Sequence, residues 1–242
     1  MARLPALVKA VAENDRRPHS LLVHFARMLR ADEPMIVSDR AGLGAQQMTV
    51  PDAVTLLMAV AGAFYPAGAR DAVTNLRTLE PRPWDGFDED GLELRAGGRL
   101  GFLEGRSSFA KTLEAMIVNA HRLADFERDY LASWDEEEKR GTSKSAEGYS
   151  MQRMVRKLSP ETDPYMPSYA RVVRVVVYVP GLAAEIHCGR PWKQFDEGGS
   201  FHEFYAPPPK PTAKTDRRDV MGTIEFGVPT LMALHKLVSP AA

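Results

Sequence analysis

LPALVKAVAENDRRPHSLLVHFARMLR, residues 4–30, sets the reading of the fold. Leu4, Leu7, Val8 and Val11 recur at helical spacing, which predicts a helix over residues 3–14. Asn14-Asp15 ends it. Pro18 fits the first turn of a second helix, where a missing N–H costs nothing. Leu21, Leu22, Phe25, Met28 and Leu29 form the apolar stripe of that helix, and His24, Arg27 and Arg30 lie off it.

Outward from this stretch comes MIVSDRAGLGAQQMTV, residues 35–50. Strand-like pieces at 35–38 and 46–50 flank a Gly-containing turn and predict a β-hairpin. Thr49, three residues before Asp52, predicts a capping box with Asp in place of Glu. Val54, Leu57, Met58 and Ala61 give a third helix its apolar face, and Pro66 stops it. The apolar run at 53–65 reads as a core helix, and residues 71–79 predict a shorter fourth one.

Residues 80–106 are dense in Pro and Gly. They predict a loop, then a hairpin over 92–103 turning at Gly97-Gly98. Ser107 or Ser108 caps a long helix, striped by Phe109, Leu113, Met116, Ile117, Ala120 and Leu123 and running to about Trp134. Residues 135–168 are charged or Pro-rich and predict a flexible linker. Val-rich 169–179 suits a buried strand. Further strands are expected at 182–188, 201–205 and 220–226, with a closing helix over 229–238.

The expected fold is therefore α+β in four parts. Residues 1–80 form a helical, winged-helix-like module, and 81–134 a connecting hairpin and central long helix. Residues 135–168 are the linker, and 169–242 a small antiparallel sheet with its closing helix.

Bulk composition narrows the function classes. Hydrophobic residues make up 44% and charged residues 26% of the 242, so a core can form without disulfides or metal. Cys188 is the single cysteine. It excludes an internal disulfide and suits a reducing cytoplasm, the expected location. No run reaches the ~18 apolar residues of a membrane span, and the N-terminus lacks the apolar core of a signal peptide. No membrane partner is expected. The net charge of −1 excludes a uniformly basic nucleic-acid binder. Charge is uneven, however: residues 1–50 hold seven Arg and Lys against five Asp and Glu.

The order helix, turn, helix, hairpin, helix matches a winged helix-turn-helix. In that geometry the second helix offers its N-terminal side chains to base edges in the major groove. The candidates are Arg16, Arg17, His19 and Ser20, with His24 and Arg27 one and two turns on. Arg40, Gln46 and Gln47 on the hairpin would approach phosphates or the minor groove. Arg is the commonest partner of guanine. A solvated helical surface is the alternative account of the same arginines.

LPALVKAVA, HFARMLRAD and QQMTVPDAVTLLMAV carry a resemblance. Residues 1–80 resemble the N-terminal part of uncharacterised prophage-associated proteins of alphaproteobacteria. The resemblance implies phage or gene-transfer regulation and a helix-turn-helix; it transfers no functional residue.

Other signals are weaker. GFLEGRSS has too few residues between its glycines, and Arg in place of Lys, for a phosphate loop. AGLGAQQM lacks the third glycine of a dinucleotide fingerprint. His187, Cys188 and His202 suggest zinc, but adjacent strand residues point to opposite faces, so no metal site is expected. Cys188 is expected to be a buried thiol beside a surface imidazole. The basic run at 139–157 lacks the aromatics of a single-strand platform.

The expected function is a phage-type transcriptional regulator binding double-stranded DNA as a homodimer, with no catalytic residues and no cofactor. A non-enzymatic assembly protein with a phage or host protein partner is the alternative. An enzyme with a polar pocket around His187, His202 or Glu203 is the third reading.

Overall fold

The computed structural model describes residues 3–15, 17–31, 33–36, 47–82, 98–139, 172–179, 183–189, 201–208 and 222–238. Helix α1 spans Leu4–Ala12 and α2 His19–Arg30, the latter with Pro18 as N-cap residue rather than inside the first turn. Leu7, Val8 and Val11 of α1 are buried, as are Leu22, Phe25 and Leu29 of α2. The apolar spacing predicted these faces.

Helix α3, Val50–Gly62, opens on the expected capping box. Thr49 Oγ1 accepts from Asp52 N at 3.3 Å, and Asp52 Oδ2 accepts from Thr49 N at 2.8 Å. Such a pair contributes about 1 kcal/mol. Every residue from Ala53 to Gly62 is buried, so α3 has no solvent face in its last three turns. A helix apolar all round belongs inside a core. α3 touches α1, α2, the helices α4 (Ala69–Arg77) and α5 (Phe109–Val118), and the sheet. Gly62 permits the tightest approach. A Cβ there would lie 2.7 Å from Leu76 Cδ1 and 2.9 Å from Ala72 Cβ.

The predicted long helix is two. α5 ends at Asn119, whose side chain donates to Ala115 O at 2.9 Å, and α6 follows over Ala120–Lys139. An Asn that bonds backwards to its own turn competes with helix continuation.

Five strands form one antiparallel sheet: β1 (Glu80–Arg82), β2 (Val173–Val179), β3 (Ala183–Cys188), β4 (Phe201–Ala206) and β5 (Gly222–Gly227). Their order is β1-β4-β3-β2-β5. Four of them match the predicted strands. β1 was not predicted, because Pro81 argues against a strand; an edge position of three residues is where a sheet tolerates Pro. Helix α7, Val228–Val238, closes the chain as expected.

Strand periodicity sorts the sheet into two faces. Val173, Val175, Val177, Ala184, Ile186, Cys188, Phe201, Tyr205 and Phe226 join the helices in one core. The opposite face carries Arg174, Val176, Tyr178, Glu185, His187, His202 and Glu225.

The predicted division into modules is corrected by that core. It runs continuously from Leu4 to Val238. α1 packs against α7, and β1, at the end of the expected first module, pairs with β4 of the expected last one. The described helices within residues 4–139, together with α7, cover one face of a sheet built largely from residues 173–227. α6 also extends five residues into the expected linker, whose remainder, 140–168, lies outside the described residues.

Two predicted hairpins are affected as well. Residues 98–103 form a 3-10 helix rather than a strand, and 91–97 are outside the described residues. Of the hairpin at 35–50, Met35, Ile36 and residues 47–49 are not strand, and 37–46 are outside the described residues.

Candidate metal centre on the second sheet face

The candidate site begins with the alternation in β3, Ala183–Cys188. Ala184, Ile186 and Cys188 point into the core, which turns Glu185 and His187 to the opposite face. β4 lies in register beside it, with His187 opposite His202. Directly opposed side chains meet. The two imidazoles stack, centroids 3.9 Å apart and planes 23° apart.

Glu185 sits two residues before His187 and completes the group. His187 Nε2–H donates to Glu185 Oε2 at 2.8 Å, and His202 Nε2 lies 4.0 Å from the same oxygen. Tyr178, on β2, donates its hydroxyl to Glu185 Oε1 at 2.5 Å. Tyr178 thus occupies one carboxylate oxygen and leaves the other facing the imidazoles. One ligand-capable atom from each of Glu185, His187 and His202 lies within 4.8 Å of the other two.

The site is secluded. Side chains of Glu185, His187 and His202 are 14%, 7% and 6% exposed. Burial, reinforced by the neighbouring His187, pushes His202 down to about 3, so its imidazole is neutral at pH 7. Burial works to raise the Glu185 carboxyl, but hydrogen bonds from His187 and Tyr178 outweigh it and hold the group below its ordinary value. Burial raises the Tyr178 phenol, which therefore stays a donor. An anionic Glu185 carboxylate beside the neutral His202 imidazole is the protonation pattern a metal ion needs.

The donor set is two nitrogens and one oxygen. Zinc uses His and Glu in catalytic sites with three protein ligands and an open fourth position. Two His and a carboxylate also hold non-haem Fe(II). An ion here would take the place of the His187 Nε2 proton.

Cys188 takes no part. It faces the core, 1% exposed, and burial pushes its thiol up, so it is neither nucleophile nor ligand to this group. The expectation of a buried thiol is met, but the imidazole beside it is buried too, His187 being 6% exposed. Adjacent strand positions face apart, which separates Cys188 from His187 as expected. Glu185, two residues away, shares the His187 face; its signal in the sequence is the Glu-x-His spacing on a strand with a His on its neighbour.

Glu203 lies on the other side of the sheet. The Tyr205 hydroxyl donates to Thr112 Oγ1 at 2.7 Å and meets the Glu203 carboxyl, pinning β4 to α5. The polar pocket expected around His187, His202 or Glu203 is therefore two groups, divided by the sheet.

The sequence-predicted DNA contacts disperse. His19, Ser20, His24 and Arg27 are exposed on α2, and Gln47 is half-buried ahead of α3. Arg16, Arg40 and Gln46 are outside the described residues. Arg17 turns inward. It pairs with Asp15 at 2.7 Å and donates to Val60 O at 2.7 Å and Ala63 O at 3.1 Å. Those carbonyls end α3, where a cation is favoured. Its guanidinium also lies over the Phe25 ring, 5.4 Å from the centroid. Arg17 is thus a clasp between the α1–α2 turn and the central helix, and its candidacy as a base contact is corrected. Arg17→Ala should lower stability by about 2 kcal/mol, since it unpairs a part-buried carboxylate and two carbonyls. Urea unfolding checks this; an unchanged midpoint would contradict the assigned role.

No protein-family model, no curated protein and no solved structure matches the chain. Nothing in these comparisons bears on the resemblance of residues 1–80. No helix among the described residues is long and apolar enough to cross a membrane.

Proposed function

We propose that this chain is a metal-dependent protein that holds one divalent transition-metal ion between Glu185, His187 and His202. The observation that carries the proposal is the convergence of three donors within 4.8 Å on a secluded sheet face. Three protein donors leave open positions on the ion, the arrangement of a reactive centre rather than a closed structural one. Zinc at such a centre activates water for hydrolysis, and Fe(II) activates oxygen.

The test is metal stoichiometry. Stripped protein is dialysed against Zn²⁺, Fe²⁺ or Co²⁺, desalted, and analysed for metal. About one ion per chain is expected. Retention below about a tenth of an ion for all three would end the proposal.

A second reading keeps the regulator expected from the sequence, as a cytoplasmic homodimer on double-stranded DNA or a partner of phage or host proteins. Its support is the α2 face, where His19, Ser20, His24 and Arg27 are all exposed. If α2 meets a duplex, binding should weaken with salt at a log–log slope of about −0.9 per phosphate contacted. Arg27→Ala should reduce that slope by about one unit. Fluorescence polarisation at several salt concentrations measures both. A wild-type protein that binds no duplex at low salt removes this reading and leaves the metal proposal untouched.

A further inference from the structure

Arg174 lies on the same sheet face as the three donors and is the register partner of His187 across β2 and β3. It is half-buried, and among the described residues its guanidinium has no hydrogen bond or ion pair. A half-buried guanidinium loses hydration that only an acceptor restores, so an Arg left open beside a donor cluster is a ready anion contact.

The charges of the face point to the occupant. Glu225 on β5 shares it, opposite Val176, with Oε2 buried and unpartnered. Arg174 and Glu225 form no ion pair with each other. Glu80 and Arg82, at the β1 edge, pair with one another at 3.6 Å. Among the described residues of the face, a divalent ion added to Glu185, Glu225 and Arg174 leaves a single net positive charge. One monoanion balances it. A carboxylate fits best, because it can ligate the open metal position and is planar like the guanidinium fork.

Resting on the metal site proposed above, we infer that the site takes a small carboxylate-bearing substrate, bound jointly by the metal ion and by Arg174. The carboxylate binds as a metal ligand in place of water and accepts from the guanidinium. The exchange breaks the metal–water bond, forms a metal–carboxylate bond and releases the water; no covalent bond of the carboxylate changes. Arg174 is a specificity-determining residue; the ion stays with Glu185, His187 and His202.

The experiment uses the full chain loaded with Co²⁺, whose visible absorption reports its ligands. Acetate is titrated, with inorganic phosphate as a separate series. The Co²⁺ bands should shift with acetate. Arg174→Gln should raise the acetate midpoint at least about tenfold, the effect of losing a charged hydrogen-bond partner. Its Co²⁺ affinity should hold. Arg174→Lys, which keeps the charge but not the fork, should fall between, and it serves if the Gln variant misfolds. Wild-type protein that fails to bind Co²⁺ overturns the metal proposal itself. Co²⁺ bands that ignore acetate, an acetate midpoint unchanged in both variants, or tighter binding of phosphate would each overturn the carboxylate inference alone.

Discussion

His202→Ala should weaken Zn²⁺ or Co²⁺ binding by at least about a hundredfold, above the loss usual for a residue outside the ligand set. His202 supplies one of only three donors within 4.8 Å. Burial keeps its imidazole neutral, so in the native protein it is ready to ligate without losing a proton. Removing it leaves two donors on β3, which cannot enclose an ion from both strands. Competition against a chromophoric chelator measures the change. His187→Gln and Glu185→Gln belong in the same series, because all three should fail together. Thermal unfolding gives an independent readout: a ligand at a hundred times its Kd stabilises by about 2.7 kcal/mol. Wild type should gain this with metal, and the variants should not. If all three variants bind within about threefold of wild type, the ion is held elsewhere, because each lost donor should cost far more.

Phe109→Ala should destabilise the protein by about 3–5 kcal/mol. Phe109 is 0% exposed at the start of α5. Its ring meets Tyr205 of β4 at 5.4 Å, and its backbone N–H donates to Leu79 O at 3.0 Å. The side chain thus stands where the N-terminal helices, α5 and the sheet join. Truncation leaves a cavity where the helices meet the sheet. Because one core runs from Leu4 to Val238, the loss should move a single unfolding transition. Circular dichroism and intrinsic fluorescence followed in urea should shift together. Two separate transitions, only one of them shifted, would mean that the helices and the sheet unfold as independent modules.

Much of the fold was legible. Helical spacing located α1 and α2, and Thr49 with Asp52 marked the start of α3. The Val-rich run and its neighbours located four of the five strands. These signals are local, since periodicity and capping depend on residues within one or two turns. The misreadings were non-local. Nothing near Pro81 says that Tyr205 of β4 arrives 124 residues later to pair with it. Nothing around Arg17 says that Val60 and Ala63 present carbonyls to it. Sequence shows that His19, Ser20, His24 and Arg27 leave the apolar stripe, and they are exposed on α2; it does not show that Arg17 turns inward.

The sequence by itself determined the class of the protein, α+β, and the faces that its helices and strands bury, because side-chain periodicity is written residue by residue. It also removed Cys188 from any shared site, because neighbours on a strand point apart. Tertiary structure decided that the helical and β parts share one core, and that His202 lies beside Glu185 and His187. Strand register makes that second decision: sliding β4 by one residue would turn His202 into the core and take the second imidazole away from Glu185 and His187.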